Sequence, residues 1–111
     1  MDKETMRAVA INSFGGPEVL EVRTLPKPLP QGSDVLVRVR ASALNRADVL
    51  QRRGLYPPPP GVTEIPGLEF AGELEAIGTA VQLWKPGQRV IGLVAGGAHA
   101  DYLVAHERTS R

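Results

Sequence analysis

From residue 35 to residue 42 apolar and polar side chains alternate: Val35, Val37, Val39 and Ala41 fall on one face of an extended segment, and Leu36, Arg38 and Arg40 on the other. That period predicts a strand with one buried face. Shorter runs rich in apolar residues predict further strands at residues 6–12, 18–24, 68–77, 88–94 and 99–105. The first two flank Gly15-Gly16-Pro17 and read as an opening hairpin. Residues 25–34 carry prolines at 26, 28 and 30, which remove ladder donors and fix φ, so strand pairing should pause there. Only residues 44–53 suit a helix. Asn45 is a favourable N-cap, Asp48 follows in the first turn, and Gly54 can end the element. Residues 57–60 are four consecutive prolines, a stiff pre-formed wall. Many short strands with a single small helix predict a mainly β, barrel-like sheet.

Composition narrows this further. A chain of 111 residues suits one core, and 12 glycines with 10 prolines favour turns and strands over long helices. Its 13 basic and 12 acidic residues leave a net charge of +1, too weak a field to gather nucleic acid or an anionic membrane surface. With no cysteine, disulfides, thiolate metal ligands and a cysteine nucleophile are all excluded. The start, MDKETMRAV, is charged and lacks a secretory apolar run, and no segment approaches the roughly 20 apolar residues of a membrane helix. A cytoplasmic location is the expectation, with residues 1–5 a flexible extension ahead of Met6.

The stretch ASALNRADVLQRRGLYP, residues 41–57, places a polar Asn-Arg-Ala-Asp turn directly after a strand; PGLEFAG follows at 66–72, GELEAIG at 72–78 and KPGQRVIGL at 85–93. In arrangement these segments resemble the medium-chain dehydrogenase/reductase family, over residues 6 to about 107. The resemblance implies a GroES-like, partly open barrel with one or two short helices. In that family a strand leads into a Cys-x-x-Asp turn whose cysteine holds the catalytic zinc, and a Gly-His-Glu motif follows. Here Asn45 stands in the place of the cysteine and Leu68 in that of the second metal-binding residue, while Glu69 is kept. The resemblance therefore points to the zinc-free quinone oxidoreductase branch, and within it to the p53-inducible type.

Each candidate side chain carries two readings. Asn45 and Asp48 are fully explained as a helix cap and a first-turn acid. The resemblance implies instead that Asn45 faces the nicotinamide and substrate cleft and that Asp48 matches an acid supporting a zinc ligand in metal-dependent relatives. An amide neither titrates nor replaces a thiolate, so Asn45 could orient a substrate oxygen but not hold zinc tightly. Ala47 lacks the hydroxyl that alcohol-dehydrogenating relatives use as a proton relay. Arg46 matches a position that touches the cofactor diphosphate in some relatives, or is a solvated surface arginine. Tyr56 either lines the quinone pocket, as a neutral phenol donor, or packs on the proline run. Arg52 and Arg53 read as solvated helix-end cations. Glu69 reads as an acid in the cleft or as a solvent-facing strand residue beside Glu73. His99 and His106 lack the spacing and companions of a metal site, and Trp84 should cover an end of the barrel.

The resemblance implies hydride transfer from NADPH to a quinone or conjugated enone, with no zinc and with Asn45 and Tyr56 as the catalytic pair. Asn45, Asp48 and Tyr56 would touch the substrate, and Asn45 and Arg46 the cofactor. A dinucleotide-binding Rossmann domain follows the barrel in this family, and no G-x-G-x-x-G occurs in these residues. Residues 6–107 are therefore expected to be the substrate domain, residues 108–111 a truncated tail, and the chain by itself inactive. Its unpaired strand edges would favour self-association, including a homodimer. A different reading is a non-enzymatic GroES-like module that assembles or binds partners. The capped polar turn beside a proline wall argues against the mobile apolar loop such a module needs.

Overall fold

A computed structural model describes residues 4–109. Seven residues on each side make the opening hairpin, β1 (Thr5–Ile11) antiparallel to β2 (Leu20–Pro26). The second strand starts two residues later than the apolar pattern suggests, because Pro17–Val19 closes a tight 3-10 turn in which the Val19 N–H donates to the Gly16 carbonyl at 3.1 Å. Proline at the first position presets φ for such a turn. β2 also runs through Pro26, which pairs with Thr5 at the end of the ladder, where a missing N–H costs least. Of the expected N-terminal extension, Thr5 belongs to β1 and the Glu4 carbonyl accepts the Lys27 N–H at 3.1 Å; residues 1–3 lie outside the described residues.

The main sheet contains β3 (Asp34–Ala43), β4 (Glu69–Ile77), β5 (Arg89–Leu93) and β6 (Tyr102–His106), all antiparallel, in the order β5-β4-β3-β6. Its inner face buries Val35, Val37, Phe70, Leu74, Val90, Leu103 and Ala105, joined by Ala98. Trp84 packs half-buried against this core, as expected for a cover, and its Nε1 donates to the Glu107 carbonyl at 2.8 Å. The alternation read along residues 35–42 is broken in one respect. Val35, Leu36 and Val37 are all buried, and the register to β4 slips between Leu36 and Val37 and again between Val39 and Ala41. Such bulges bend and twist a strand, which lets one long strand serve a curved sheet.

The two sheets meet through an isolated bridge between Ala8 and Ala100, so the barrel is partly open. The last strand begins at Tyr102 and not at His99, because the loop before it is drawn into a different set of bonds. The N–H groups of Gly97, Ala98 and His99 donate to the carbonyls of Ile65, Gly67 and Pro66, and the His99 carbonyl accepts from Val9 at 2.9 Å. The proline connection after β2 is held by Lys27, which pairs with Glu75 and lies 4.2 Å from the centre of the Tyr102 ring. At the other end Glu107, in a 3-10 turn (Glu107–Thr109), accepts the Gln82 and Leu83 N–H groups at 2.9 and 3.0 Å. Those two bonds hold its carboxyl below the usual carboxylate range. Residues 110 and 111 of the expected tail lie outside the described residues. Among the described residues no helix is long and apolar enough to cross a membrane.

Candidate functional site

Between β3 and β4 the chain forms α1 (Arg46–Arg52), with Asn45 as N-cap in extended conformation. Its start is fixed locally: the Asp48 carboxylate Oδ2 accepts the Asn45 N–H at 3.0 Å while the Asp48 N–H donates to the Asn45 carbonyl at 3.0 Å. Its end is a Schellman turn, with Gly54 at φ +80° donating to Gln51 and Leu55 donating to Leu50 at 2.8 Å. A Cβ at Gly54 would also come within 2.8 Å of the Phe14 ring. The helix is shorter than residues 44–53 by the width of these two caps, which is where capping chemistry ends it.

Asp48 then reaches outside the helix. Its Oδ1 accepts the Gly67 N–H at 3.2 Å, and Oδ2 lies 3.1 Å from Nε2 of His99, whose Nδ1 lies 2.7 Å from Oγ of Ser42. Gly67 has no freedom to be another residue. Its φ is +110°, and a Cβ would sit 2.6 Å from the His99 backbone nitrogen. Asp48 and His99 are nearly sealed, their side chains 10% and 12% exposed. The cluster lies in an open, mostly apolar cleft of about 640 Å³ between the hairpin, β3 and α1, bordered by Val9, Val22, Val39, Ser42, Asn45 and Asp48 among others. Asn45 Nδ2 is buried there without a hydrogen-bond partner.

The expected site residues separate into two groups. Asn45 and Asp48 share this cleft. Arg46 is exposed at the first helical position and does not border it. Tyr56 lines a different hollow of about 660 Å³, with Phe14, Gln51, Pro57 and Pro58. A single hollow shared by Asn45 and Tyr56 is therefore not what the chain forms: the two flank α1, and a helix of seven residues is about 10 Å long. Glu69 is half-buried on β4 and borders a third hollow beside Ala43 and Leu93. Arg52 is not simply solvated, because its Nε donates to the Gly15 carbonyl at 3.1 Å and the residue borders the Asn45 cleft. Ser42 and His99 had no signal in the sequence, since His99 lies 51 residues from Asp48 and 57 from Ser42 with no local pattern linking them. Among the described residues no group of three or more His, Cys, Asp or Glu side chains is placed to hold a metal ion.

Known proteins agree with this architecture. A quinone oxidoreductase of Lama guanicoe is 39% identical over 107 residues, which cover 94% of this chain and 32% of that protein. The human synaptic vesicle membrane protein VAT-1 homolog-like protein superposes with a TM-score of 0.89 at 32% identity, over 97% of this chain and 35% of that one. The quinone oxidoreductase from Coxiella burnetii superposes with a TM-score of 0.86 at 26% identity, over 97% and 37%. The chain thus spans about a third of the length of the relatives it matches. The alcohol dehydrogenase GroES-like domain model matches residues 31–110, which include the main sheet, α1 and the cleft turn, and the chain belongs to that family.

Proposed function

We propose that this chain is the substrate domain of an NADPH-dependent reductase of quinones or conjugated enones that works without zinc, the hydride coming from a cofactor held mainly by a dinucleotide-binding domain outside these residues. One observation carries the reading. At the turn where a metal-dependent relative would present a thiolate, this chain presents Asn45, whose buried Nδ2 lacks an acceptor within the protein. A buried donor left unpaired costs about 1–3 kcal/mol, and a turn of the Asn45 amide toward the cleft would let a bound ring oxygen supply that acceptor.

The donor set suits this chemistry better than a metal. Asn45 and Leu68 stand at the two ligand places, an amide that does not ionise and a side chain with no donor atom. Zinc stabilises charge gathered on one oxygen of an alcohol or simple carbonyl. Quinones and enones spread incoming charge over a conjugated system, so oriented neutral donors and a well-placed reduced nicotinamide suffice. When bound, the cofactor would supply the hydride, with Asn45 beside the nicotinamide and Arg46, exposed one residue later, available to its diphosphate. Tyr56 is then a wall of the neighbouring hollow, reached by a substrate that extends around α1. Relatives named quinone oxidoreductases support the substrate class.

The test joins the chain to a supplied dinucleotide-binding domain and follows NADPH oxidation. Quinone or enone turnover without added zinc, lost on removing either part, is the expected result. Tight one-to-one zinc in a metal analysis, or turnover confined to simple alcohols and aldehydes, would overturn the reading. A ring-shaped assembly with no response to NADPH would favour a non-enzymatic module.

A further inference from the structure

We infer that Ser42, His99 and Asp48 form a proton-delivery chain opening into the cleft, in which Ser42 hands a proton to the substrate oxygen; the inference rests on the reduction proposed above. Ionised Asp48 only accepts hydrogen bonds, and it is held by the N–H groups of Asn45 at 3.0 Å and Gly67 at 3.2 Å. A carboxylate so placed, 3.1 Å from Nε2 of His99, makes that nitrogen the donor. Proton exchange is thereby confined to Nδ1, which lies 2.7 Å from the Ser42 hydroxyl. All three line the cleft, but Asp48 and His99 are nearly sealed whereas Ser42 is exposed on β3, so Ser42 is the open end of the chain.

The two charge states of the ring do different things. In the neutral ring Nδ1 accepts, and the Ser42 O–H points inward. In the doubly protonated ring Nδ1–H donates to Ser42 Oγ, and the Ser42 O–H is free to point into the cleft. During reduction, two electrons and one hydrogen arrive as hydride on a carbon of the conjugated system. The displaced π pair collects on the carbonyl oxygen. That oxygen bonds the Ser42 proton as the Ser42 O–H bond breaks, and Ser42 Oγ takes the Nδ1 proton in turn. The ring is left neutral with Nε2–H still on Asp48. Hydride plus one proton have then been added to the substrate, a reduced nicotinamide would be the source of the hydride, and solvent reaches Ser42 to restore the proton.

The probe is 4-nitrophenolate, an aromatic oxyanion that stands in for the half-reduced ring, added to this chain at a pH where the free dye is ionised. Calorimetry in buffers of different ionisation heat counts protons. Binding should take up close to one proton per dye, the one that Nδ1 can carry. His99→Gln should abolish the uptake, because the group that carries the proton is gone, Ser42→Ala should lower it, because the hydroxyl that couples the dye oxygen to Nδ1 is gone, and Ser42→Thr should restore it. Arg7, Arg40, Arg52 and Asp101 also border the cleft, but arginine holds its proton throughout and Asp101 is paired with Arg7 at 3.4 Å. Dye bound without proton uptake, or with uptake unchanged in either variant, overturns the relay alone. Dye that does not bind overturns the cleft as a site for a ring oxygen, and the proposed function with it. Ser42 is exposed at a strand end, so Ser42→Ala keeps the test decisive should His99→Gln fail to fold.

Discussion

Val35, Val37 and Leu74 are sealed in the main sheet by side chains that repeat every second residue along paired strands, whereas Asp48, Gly67 and His99 meet through single hydrogen bonds between segments 19 and 51 residues apart. The first region is redundant. Each core side chain touches several others, and the apolar term grows with the area removed from water. The junction at α1 is less redundant: backbone bonds tie residues 65–67 to 97–99, but what joins them to Asp48 is one carboxylate shared by two backbone donors and one imidazole. Stability is therefore concentrated in the sheet and the proposed chemistry in the junction, and perturbing the junction should leave the sheet folded.

The largest effect should come from the sheet. Leu74→Ala removes a fully buried side chain from the centre of β4 and should cost about 4 kcal/mol in denaturant unfolding. Next comes Gly67→Ala, where a Cβ meets backbone at 2.6 Å and the chain must leave φ +110°; about 3 kcal/mol is expected, with the loop carrying His99 displaced. Asp48→Ala leaves the N–H groups of Asn45 and Gly67 unpaired and should cost about 2 kcal/mol, with hydrogen exchange faster at those two amides than in the sheet. An equal acceleration in β3 and β4 would show that sheet and junction are one cooperative unit, and would break the comparison.

The smallest effect is confined to acid. Glu107 has a lowered pKa, first through its bond from the Gln82 N–H and then through that from Leu83. A carboxyl depressed in the folded state adds stability that is present above the ordinary carboxylate range and is lost as the pH falls through that range and then through the lowered value. Glu107→Gln should flatten this acid limb of a stability profile while leaving the α1 junction unaffected. An unchanged limb would mean that the two bonds do not persist in solution.

The sheet was legible because strand pairing copies a local period into three dimensions. All six strands lie where short apolar runs place them, to within two or three residues, and the helix lies inside its two capping signals. The errors have physical causes. Pro17 diverts the chain into a turn before β2, bulges in β3 break its two-sided pattern, and His99 leaves the strand because its N–H and C=O are taken by Pro66 and Val9. Of the candidate site, Asn45 and Asp48 were legible from their place in a turn after a strand. For Tyr56 the resemblance implies a place in the quinone pocket and the local sequence a place against the prolines; it lines a hollow with Pro57 and Pro58, and the length of α1 separates it from Asn45.

What the sequence determined by itself was the set of elements: alternation, glycine and proline placement and a short cap signal are local, and each fixes its own few residues whatever lies far away. Only the tertiary structure decided that Ser42, Asp48, Gly67 and His99 meet. Those contacts close long loops, and nothing in a short window of sequence encodes which distant donor will meet which acceptor. A glycine at positive φ and a carboxylate with two backbone partners bring the histidine to the cleft, and that meeting exists only once the sheet has drawn the loops together.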